Sequence, residues 1–302
     1  MSSESRAGRL GSERALRPLE QGATGEARSL VLMHGAGGRE LPVAVPAGVR
    51  VSVVIPARNE AANLPHVFAR LPEGLHEIIV VDGRSTDDTV EVARRLYPNV
   101  RIIHQQGKGK GNALAEGFAS CTGDVIVMID ADRSTDPAEI PLFVEQIVDG
   151  ADFAKGSRFL PDGGSSDITP IRRLGNAFLN GIVNLLYGTK YTDLCYGYNA
   201  FRRSVLDSLV IDCDGFEVET LMNIRVAKLG IRIAEVPSFE SARLYGESSL
   251  RPVRDGLRVL RVVLQERLRK TMPVPRTTGR SEGEDAFVLG EGGPCEARVE
   301  VV

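Results

Sequence analysis

The stretch that decides the fold is VIVMIDAD, residues 125–132. Five apolar residues precede two carboxylates, Asp130 and Asp132, and the turn-forming sequence RSTDP follows directly. Alternate side chains of a β-strand point to the same side, so the two carboxylates are expected to lie together at the end of a buried strand. Such a pair suits a divalent cation that also binds a substrate's phosphates. An ordinary Asp-rich turn has the same composition and remains the alternative.

Further short apolar runs flank this stretch. They are VSVVIPA (51–57), EIIVVDG (77–83), VRIIH (100–104) and ADFAKGS (151–157), with helix-like stretches near 60–71, 87–96, 110–119 and 137–149. Strands that alternate with helices predict an α/β fold with a mostly parallel sheet, covered by helices on both faces. Ligands of such sheets bind beyond the carboxyl ends of the strands, where the polar motifs PARNE, DGRSTDDT and DADRSTDP fall.

The regular pattern divides the chain into four parts. We expect a disordered or weakly structured leader at 1–48, one α/β domain at 49–250, a basic amphipathic helix at 251–270 and a disordered tail at 271–302. Within the domain, helices are also expected at 170–187 and near 217–229. The helix at 251–270 has two readings, a packed terminal helix with a solvated arginine face or a helix on an anionic membrane surface.

Composition limits the function. The chain has 302 residues, 42% of them apolar, and a net charge of −3, which is ordinary for a soluble globular protein and argues against nucleic acid as a partner. The four cysteines form no zinc or disulfide pattern, which favours a reducing cytoplasm. No apolar run approaches the roughly 20 residues of a membrane span, so any membrane contact is expected to be peripheral.

The segment GKGKG, residues 107–111, combines backbone freedom with two cations, Lys108 and Lys110. It can therefore approach an anion and offset its charge. The segment lacks the GK[ST] ending of a Walker A loop, and a flexible surface turn is the alternative reading.

Five motifs occur in order: PARNE (56–60), VDGRSTDD (81–88), GKGKGNAL (107–114), DAD (130–132) and GSRF (156–159). Together they resemble the inverting family 2 glycosyltransferases with a GT-A fold. The downstream segments TDLCYGYNAF, GFEVET, IRIAEVPSF and RLYGESSL are similar to the branch of dolichyl- or polyprenyl-phosphate sugar synthases.

The resemblance implies a nucleotide-sugar donor and a lipid phosphate acceptor. It assigns donor binding to Pro56, Arg58, Glu60, Asp82, Lys108, Lys110, Asp130, Ala131 and Asp132. Asp130 and Asp132 would bind Mg²⁺ or Mn²⁺, and the acceptor or its phosphate would be bound by Arg158, Arg173, Arg243 and Ser249. Asp82 could instead cap the helix that follows GRST.

The acceptor decides how much acid–base chemistry is needed. Asp193, Glu219 and Arg158 are the predicted catalytic residues, and Glu217 is a further carboxylate beside them. A hydroxyl acceptor requires a general base, whereas a lipid monophosphate is already anionic near neutral pH. The alternative function is therefore a transferase of the same fold that acts on a soluble hydroxyl acceptor.

Other classes fit less well. The segment MHGAGG (33–38) is similar to the oxyanion loop of α/β-hydrolases, but no G-x-S-x-G sequence occurs in the chain, so the segment is interpreted as part of a leader or as an added strand. A nucleotide-sugar pyrophosphorylase would have a Gly-rich basic loop after the first strand, where this chain has PARNE. A non-catalytic binding module would not need both Asp130 and Asp132.

Overall fold

A seven-stranded sheet runs through the computed structural model, which describes residues 32–246 and 252–269. The strands are β1 (Leu32–His34), β2 (Glu40–Pro42), β3 (Val51–Ala57), β4 (Glu77–Asp82), β5 (Arg101–His104), β6 (Val125–Met128), β7 (Phe153–Ser157), β8 (Gly164–Ser165), β9 (Asn199–Arg202), β10 (Ile233–Pro237) and β11 (Phe239–Glu240). The helices are α1 (Leu64–Phe68), α2 (Thr89–Leu96), α3 (Gly109–Ala119), α4 (Ile140–Val148), α5 (Pro170–Tyr187), α6 (Val218–Leu229) and α7 (Pro252–Leu268).

The strand order in the main sheet is β10-β7-β9-β6-β3-β4-β5. Of these seven strands, β9 alone runs antiparallel to its neighbours. The predicted α/β architecture with a mostly parallel sheet is therefore confirmed.

The central strands are apolar on both faces because helices cover both. Val53 and Ile55 of β3 join a core formed with α1, α2 and α4. Val54, between them, joins the opposite core, formed with α3 and α6. Strands β6, β3 and β4 are adjacent and parallel, so their carboxyl ends meet at one edge of the sheet.

Helices α5, α6 and α7 form a third apolar cluster, which includes Leu179, Val183, Ile224, Val259 and Val263. The N-terminus of α5 is fixed by the Thr169 side chain, which accepts a hydrogen bond from the backbone of Arg172, and the helix ends at Gly188, where φ is 68°. Its bounds are those expected from the sequence, and α7 lies inside the predicted range 251–270.

The expected leader is corrected for residues 32–48. Strands β1 and β2 form an antiparallel pair, and Leu41 is fully buried. The backbone N–H of Val45 also donates to the carbonyl of Glu73 at 3.0 Å. The predictions for residues 1–31 and 271–302 lie outside the described residues. In the part of the chain that the structure describes, none of the helices has the length and hydropathy needed to cross a bilayer.

Candidate active site

The carboxylate pair lies just beyond β6 and is held by its own turn. The backbone N–H of Asp130 donates to the hydroxyl of Thr135 at 3.1 Å, and that of Ser134 donates to Asp132 Oδ1 at 2.9 Å. Arg133 has a φ of 67°, in the left-handed region, which turns the chain between these contacts. Asp130, Asp132 and the buried Ala131 line a cavity of about 1880 Å³.

Lys110 lies between two carboxylates at the floor of this cavity. Its Nζ is 2.5 Å from Asp130 Oδ1 and 2.7 Å from Glu219 Oε1. Gly197 makes room for the group, since a Cβ there would come within 3.0 Å of the lysine nitrogen. Burial opposes the charge of Lys110, but the two carboxylates outweigh it and raise its pKa. Burial raises the pKa of Asp130 to about 6, although Lys110 acts in the other direction.

The glycines of GKGKG serve a packing role. A Cβ at Gly109 would overlap the carbonyl oxygen of Asp214, and one at Gly111 would overlap that of Cys213. The backbone N–H of Gly111 donates to the Asp214 carbonyl at 3.1 Å. The glycines thus let the segment before α6 lie directly on the start of α3, while the lysines Lys108 and Lys110 line the cavity.

Arg243 closes the cavity on the other side of the pair. Its guanidinium binds Asp132 Oδ2 and lies 3.7 Å from Glu60 Oε1. Glu60 also accepts a 2.6 Å hydrogen bond from Asn63, whose amide donates to the carbonyl of Tyr245. Burial is the largest influence on Glu60 and raises its pKa. The predicted acceptor residue Ser249 lies outside the described residues.

Arg158, which lines the cavity as its predicted role requires, forms a buried ion pair with Asp193. Asp193 is fully buried, and its two oxygens accept from Arg158 Nε at 2.6 Å and Nη2 at 2.9 Å. The remaining terminal nitrogen of Arg158 donates to Glu240 at 3.0 Å, and the guanidinium lies 4.9 Å from the Tyr196 ring centroid. Although burial opposes ionisation, Arg158 holds the pKa of Asp193 below its ordinary value. A carboxylate held in this ion pair is poorly suited to accept a proton, so we propose that Asp193 positions Arg158, in place of the predicted role as a general base.

The predicted phosphate contact at Arg173 is also corrected. Arg173 is exposed, lies 5.5 Å from the ring centroid of Phe159 and does not line the cavity. Its neighbour Arg172 does line it, and is paired with Asp167 at 2.8 Å and Glu240 at 3.6 Å.

The loops after β3 and β4 form one end of the cavity. Pro56, Arg58 and Glu60, which are predicted to bind the donor, line this end. Asp82 does not: it is buried and accepts from the backbone of Ser85 at 3.1 Å, with His104 Nδ1 at 3.3 Å from its other oxygen. Burial opposes these contacts, but the hydrogen bonds from Ser85 lower the pKa of Asp82. Asp82 therefore stabilises the turn that follows β4, whereas the N-cap position of α2 is held by Asp88, so the alternative role of Asp82 as a helix cap is not confirmed.

The donor set fits a divalent cation that is held partly by substrate. In the described ranges, no three His, Cys, Asp or Glu side chains are grouped so as to hold a metal. Asp130 and Asp132 would supply two carboxylate ligands, while diphosphate oxygens and water would complete the shell, as is usual for Mg²⁺. Four residues that line the cavity were not among the site residues predicted from the sequence: Arg172, Asn176, Gly197 and Glu240.

Known proteins resemble this chain over the same region. The family model described as glycosyl transferase family 2 matches residues 52–210. The dolichol-phosphate mannosyltransferase of Pyrococcus furiosus is 34% identical over 212 residues, which are 67% of this chain and 60% of that protein. The undecaprenyl-phosphate mannosyltransferase of Micrococcus luteus is 33% identical over 214 residues, 67% of this chain and 88% of that protein.

A solved structure has a similar fold. Glucosyl-3-phosphoglycerate synthase of Mycobacterium tuberculosis, in complex with Mg²⁺ and uridine diphosphate, aligns with a TM-score of 0.59 and 26% identity. The alignment covers 76% of this chain and 82% of that chain. Another crystal of that enzyme contains Mn²⁺, uridine diphosphate and glucosyl-3-phosphoglycerate.

Proposed function

We propose that this chain, which belongs to glycosyl transferase family 2 and is a glycosyltransferase, moves a sugar from a nucleotide-sugar to a polyprenyl phosphate. The reaction inverts the configuration at the anomeric carbon and depends on Mg²⁺ or Mn²⁺. The observation that carries the proposal is the continuity of the cavity, which joins Asp130 and Asp132 to the space between α5 and α7.

The donor is held at the carboxyl ends of β3, β4 and β6. Asp130 and Asp132 would hold the metal, which stabilises negative charge on the diphosphate when bound. Lys108 lines the same wall and is exposed, so it is available to the diphosphate. Lys110 keeps Asp130 and Glu219 in place through its two ion pairs.

The proposed acceptor end of the cavity carries both arginines and carboxylates and borders on exposed apolar residues. Its arginines include Arg172, Arg225, Arg254, Arg258, Arg261 and Arg269, and several of them are paired with carboxylates that line the same end, such as Asp212, Asp255 and Glu266. On the outer surfaces of α5 and α7 the exposed residues include Leu174, Phe178, Leu257, Leu264 and Leu268. Arginines beside apolar side chains suit an anionic membrane surface, which would present a lipid phosphate to the cavity. We place this contact at the cytoplasmic face of the membrane.

The chemistry requires positioning more than proton transfer. An oxygen of the acceptor phosphate attacks the anomeric carbon, the bond from that carbon to the diphosphate breaks, and the nucleoside diphosphate leaves with the bonding electrons. Since the acceptor is already an anion, no general base is needed. This agrees with the ion pairs of Asp193 and Glu219, each of which is bound to a cation.

The test is transfer of radiolabelled sugar from a panel of GDP- and UDP-sugars to undecaprenyl or dolichyl phosphate, with Mg²⁺ or Mn²⁺. Metal-dependent label in the butanol phase is expected. Asp132→Ala should abolish transfer while the protein stays folded, whereas Asp149→Ala, which removes an exposed carboxylate outside the cavity, should leave transfer and the thermal midpoint unchanged. Full activity of a folded Asp132→Ala protein would overturn the metal assignment.

A soluble acceptor is the second candidate, because the structural neighbour named above is a synthase of glucosyl-3-phosphoglycerate. Donor turnover with label left in the aqueous phase would support it. Vesicle co-sedimentation gives an independent readout: the proposed function predicts binding to anionic vesicles that weakens with salt.

A further inference from the structure

Gln105 is a buried polar side chain to which the proposed reaction gives no role. It directly follows β5, is 6% exposed and lines the cavity. Its Nε2 donates to the carbonyl of Gly109 at 2.8 Å and to Asn112 Oδ1 at 2.9 Å. Because a backbone carbonyl can only accept, these contacts fix the amide with its nitrogen on that side and its oxygen on the opposite side.

The amide oxygen of Gln105 is open to a ligand. Oε1 accepts no hydrogen bond from residues 32–246 and 252–269, and it keeps some accessible surface. A Cβ added to Gly83 would lie 3.2 Å from this oxygen and 3.3 Å from Arg58 Cβ. The φ of Gly83 is outside the left-handed region, so the glycine provides space there rather than a backbone conformation. A ligand that supplies a donor to a nearly buried acceptor gains affinity.

Arginines lie on both sides of this oxygen. Arg58 directly follows β3, on the far side of Gly83, since β4 lies between β3 and β5 in the sheet. On the other side, Arg84 Nη2 donates to the carbonyl of Gln106 at 2.7 Å. Both arginines are exposed and line the cavity, and neither is paired with a carboxylate in the described part of the chain. The three side chains therefore present a donor, an acceptor and a donor along one wall of the cavity.

Asp82, which was predicted to bind the donor, does not supply this acceptor. Its oxygens face the backbone of Ser85 and the ring of His104, and it does not line the cavity. Gln105 lies beside it, since its backbone N–H donates to the Asp82 carbonyl at 2.9 Å. The side-chain acceptor at this position is therefore the Gln105 amide.

Among the four bases of ribonucleotides, uracil has the edge that complements this order. Its N3–H donor lies between two carbonyl oxygens, O4 and O2. Guanine has a carbonyl oxygen and an N1–H, but its 2-amino group would direct a second donor at an arginine. Cytosine and adenine have a ring nitrogen without hydrogen where uracil has N3–H, and that nitrogen would face the amide oxygen. Two donors or two acceptors that face each other lower the affinity for the wrong base.

We infer that Gln105 selects a uridine diphosphate sugar as the donor, with Oε1 accepting from uracil N3–H and with Arg58 and Arg84 donating to the two carbonyl oxygens. The inference rests on the proposed function, whose donor it narrows to one nucleoside. Gly83 leaves room for the edge of the base, because a side chain there would fill the space between Gln105 and Arg58.

The experiment measures binding of nucleoside diphosphates in the presence of Mn²⁺ by calorimetry, which needs no lipid acceptor. The ligands are UDP, GDP, CDP and 3-methyluridine diphosphate, in which a methyl group replaces the N3 hydrogen. The variant is Gln105→Leu and its matched control is Gln106→Leu. Gln106 is the adjacent glutamine; it is exposed, does not line the cavity, and donates from its side chain to the carbonyl of His104 at 3.0 Å.

The wild type should bind UDP roughly tenfold more tightly than 3-methyluridine diphosphate, because the methyl group leaves the amide oxygen without its donor. CDP and GDP should also bind roughly tenfold more weakly than UDP. Gln105→Leu should lose the preference for UDP over its methylated form, whereas Gln106→Leu should keep it. Arg58→Met should weaken UDP binding and reduce the difference between UDP and GDP.

Equal binding of UDP and 3-methyluridine diphosphate by the wild type would overturn the inference, and so would GDP binding as tight as that of UDP. Neither comparison depends on the folding of a variant. A Gln105→Leu protein that still prefers UDP over its methylated form would overturn the role of Gln105.

The two proposals fail separately. Transfer to a lipid phosphate from GDP-sugars alone would refute the uracil assignment and leave the proposed function standing. Selective binding of UDP without transfer to any lipid phosphate would refute the proposed function and support the assignment of Gln105.

Discussion

Replacing Asp193 with asparagine should destabilise the fold, because Asp193 is the buried partner of Arg158. The carboxylate is fully buried and accepts three hydrogen bonds from Arg158, one from its backbone and two from its guanidinium. Asparagine would keep the shape but remove the negative charge, and its amide nitrogen would face a guanidinium donor. Arg158 would then retain only Glu240 as an anionic partner in the interior.

The magnitude follows from burial. Removing one member of a buried ion pair costs about 3–5 kcal/mol, because the other charge is left without compensation. For a domain of this size, 1 kcal/mol shifts the thermal midpoint by roughly 2–4 °C, so a fall on the order of 10 °C is expected. Asp167→Asn is the control. Its carboxylate pairs with Arg172 at 2.8 Å but is 47% exposed, so its loss should cost less than about 1 kcal/mol.

The pH dependence gives a second readout. Arg158 holds the folded-state pKa of Asp193 below its unfolded value, although burial acts in the opposite direction. The stabilisation is therefore present above the unfolded pKa of about 3.9 and is lost as the pH falls through the folded value. The difference in urea midpoint between wild type and Asp193→Asn should reach its largest value near neutral pH and should become smaller below about pH 4.

A general base would behave differently. If Asp193 deprotonated the acceptor, Asp193→Asn would lose turnover while keeping the wild-type urea midpoint and melting temperature. That result would refute the argument from the buried ion pair. Circular dichroism during thermal and urea unfolding, run beside an assay of sugar transfer on the same preparation, separates the two cases.

Three other substitutions test buried charges and a close backbone contact. Burial raises the pKa of Glu139 to about 7, so the folded protein loses stability between the unfolded pKa of about 4.3 and pH 7 as this carboxyl ionises. Glu139→Gln should therefore show a smaller fall in urea midpoint over this pH range than the wild type. The same fall in both proteins would contradict this. Lys110→Met leaves Asp130 and Glu219 without their cation, and should lower the free energy of unfolding in urea by about 3 kcal/mol. It should also weaken nucleoside diphosphate binding in calorimetry. No change in either measurement would argue against the ion pairs. Gly111→Ala brings a Cβ onto the carbonyl of Cys213 and should lower the free energy of unfolding by about 1–3 kcal/mol. The control is Gly181→Ala in α5, where an added Cβ meets nothing within 4 Å, and it should be neutral or stabilising. Equal thermal midpoints for the two variants would refute the close contact at Gly111.

The sheet and its ligand edge could be predicted from local sequence. The segment VIVMI is apolar at every position, which is typical of a central strand covered on both faces, and β6 is buried throughout. The carboxylates after it, and the motifs after β3 and β4, reach the same cavity because the carboxyl ends of parallel strands meet at one edge. Local patterning therefore located most of the residues that we propose bind the donor.

The side chains of the proposed acceptor end could not be predicted in this way, because their positions depend on contacts with residues that are distant in the chain. Arg158 is bound by Asp193 and by Glu240, which is 82 residues away. Similarly, Arg172 and Arg173 are adjacent in sequence, and only the turn of α5 decides which one lines the cavity. The strands at residues 32–34 and 40–42 have three residues each, too few to show alternation, so the sequence left residues 33–38 open between a leader and an added strand.

The GKGKG segment shows how one motif can serve two requirements. Its alternation of glycine and lysine predicted a loop that admits an anion, yet Gly109 and Gly111 face the backbone of Asp214 and Cys213. The close contact brings the segment before α6 against the start of α3, and Glu219 of α6 then binds Lys110. The glycines thus determine where the lysine charge lies. This explains why the spacing departs from that of a phosphate-binding loop, since it is set by the approach of a second segment of the chain.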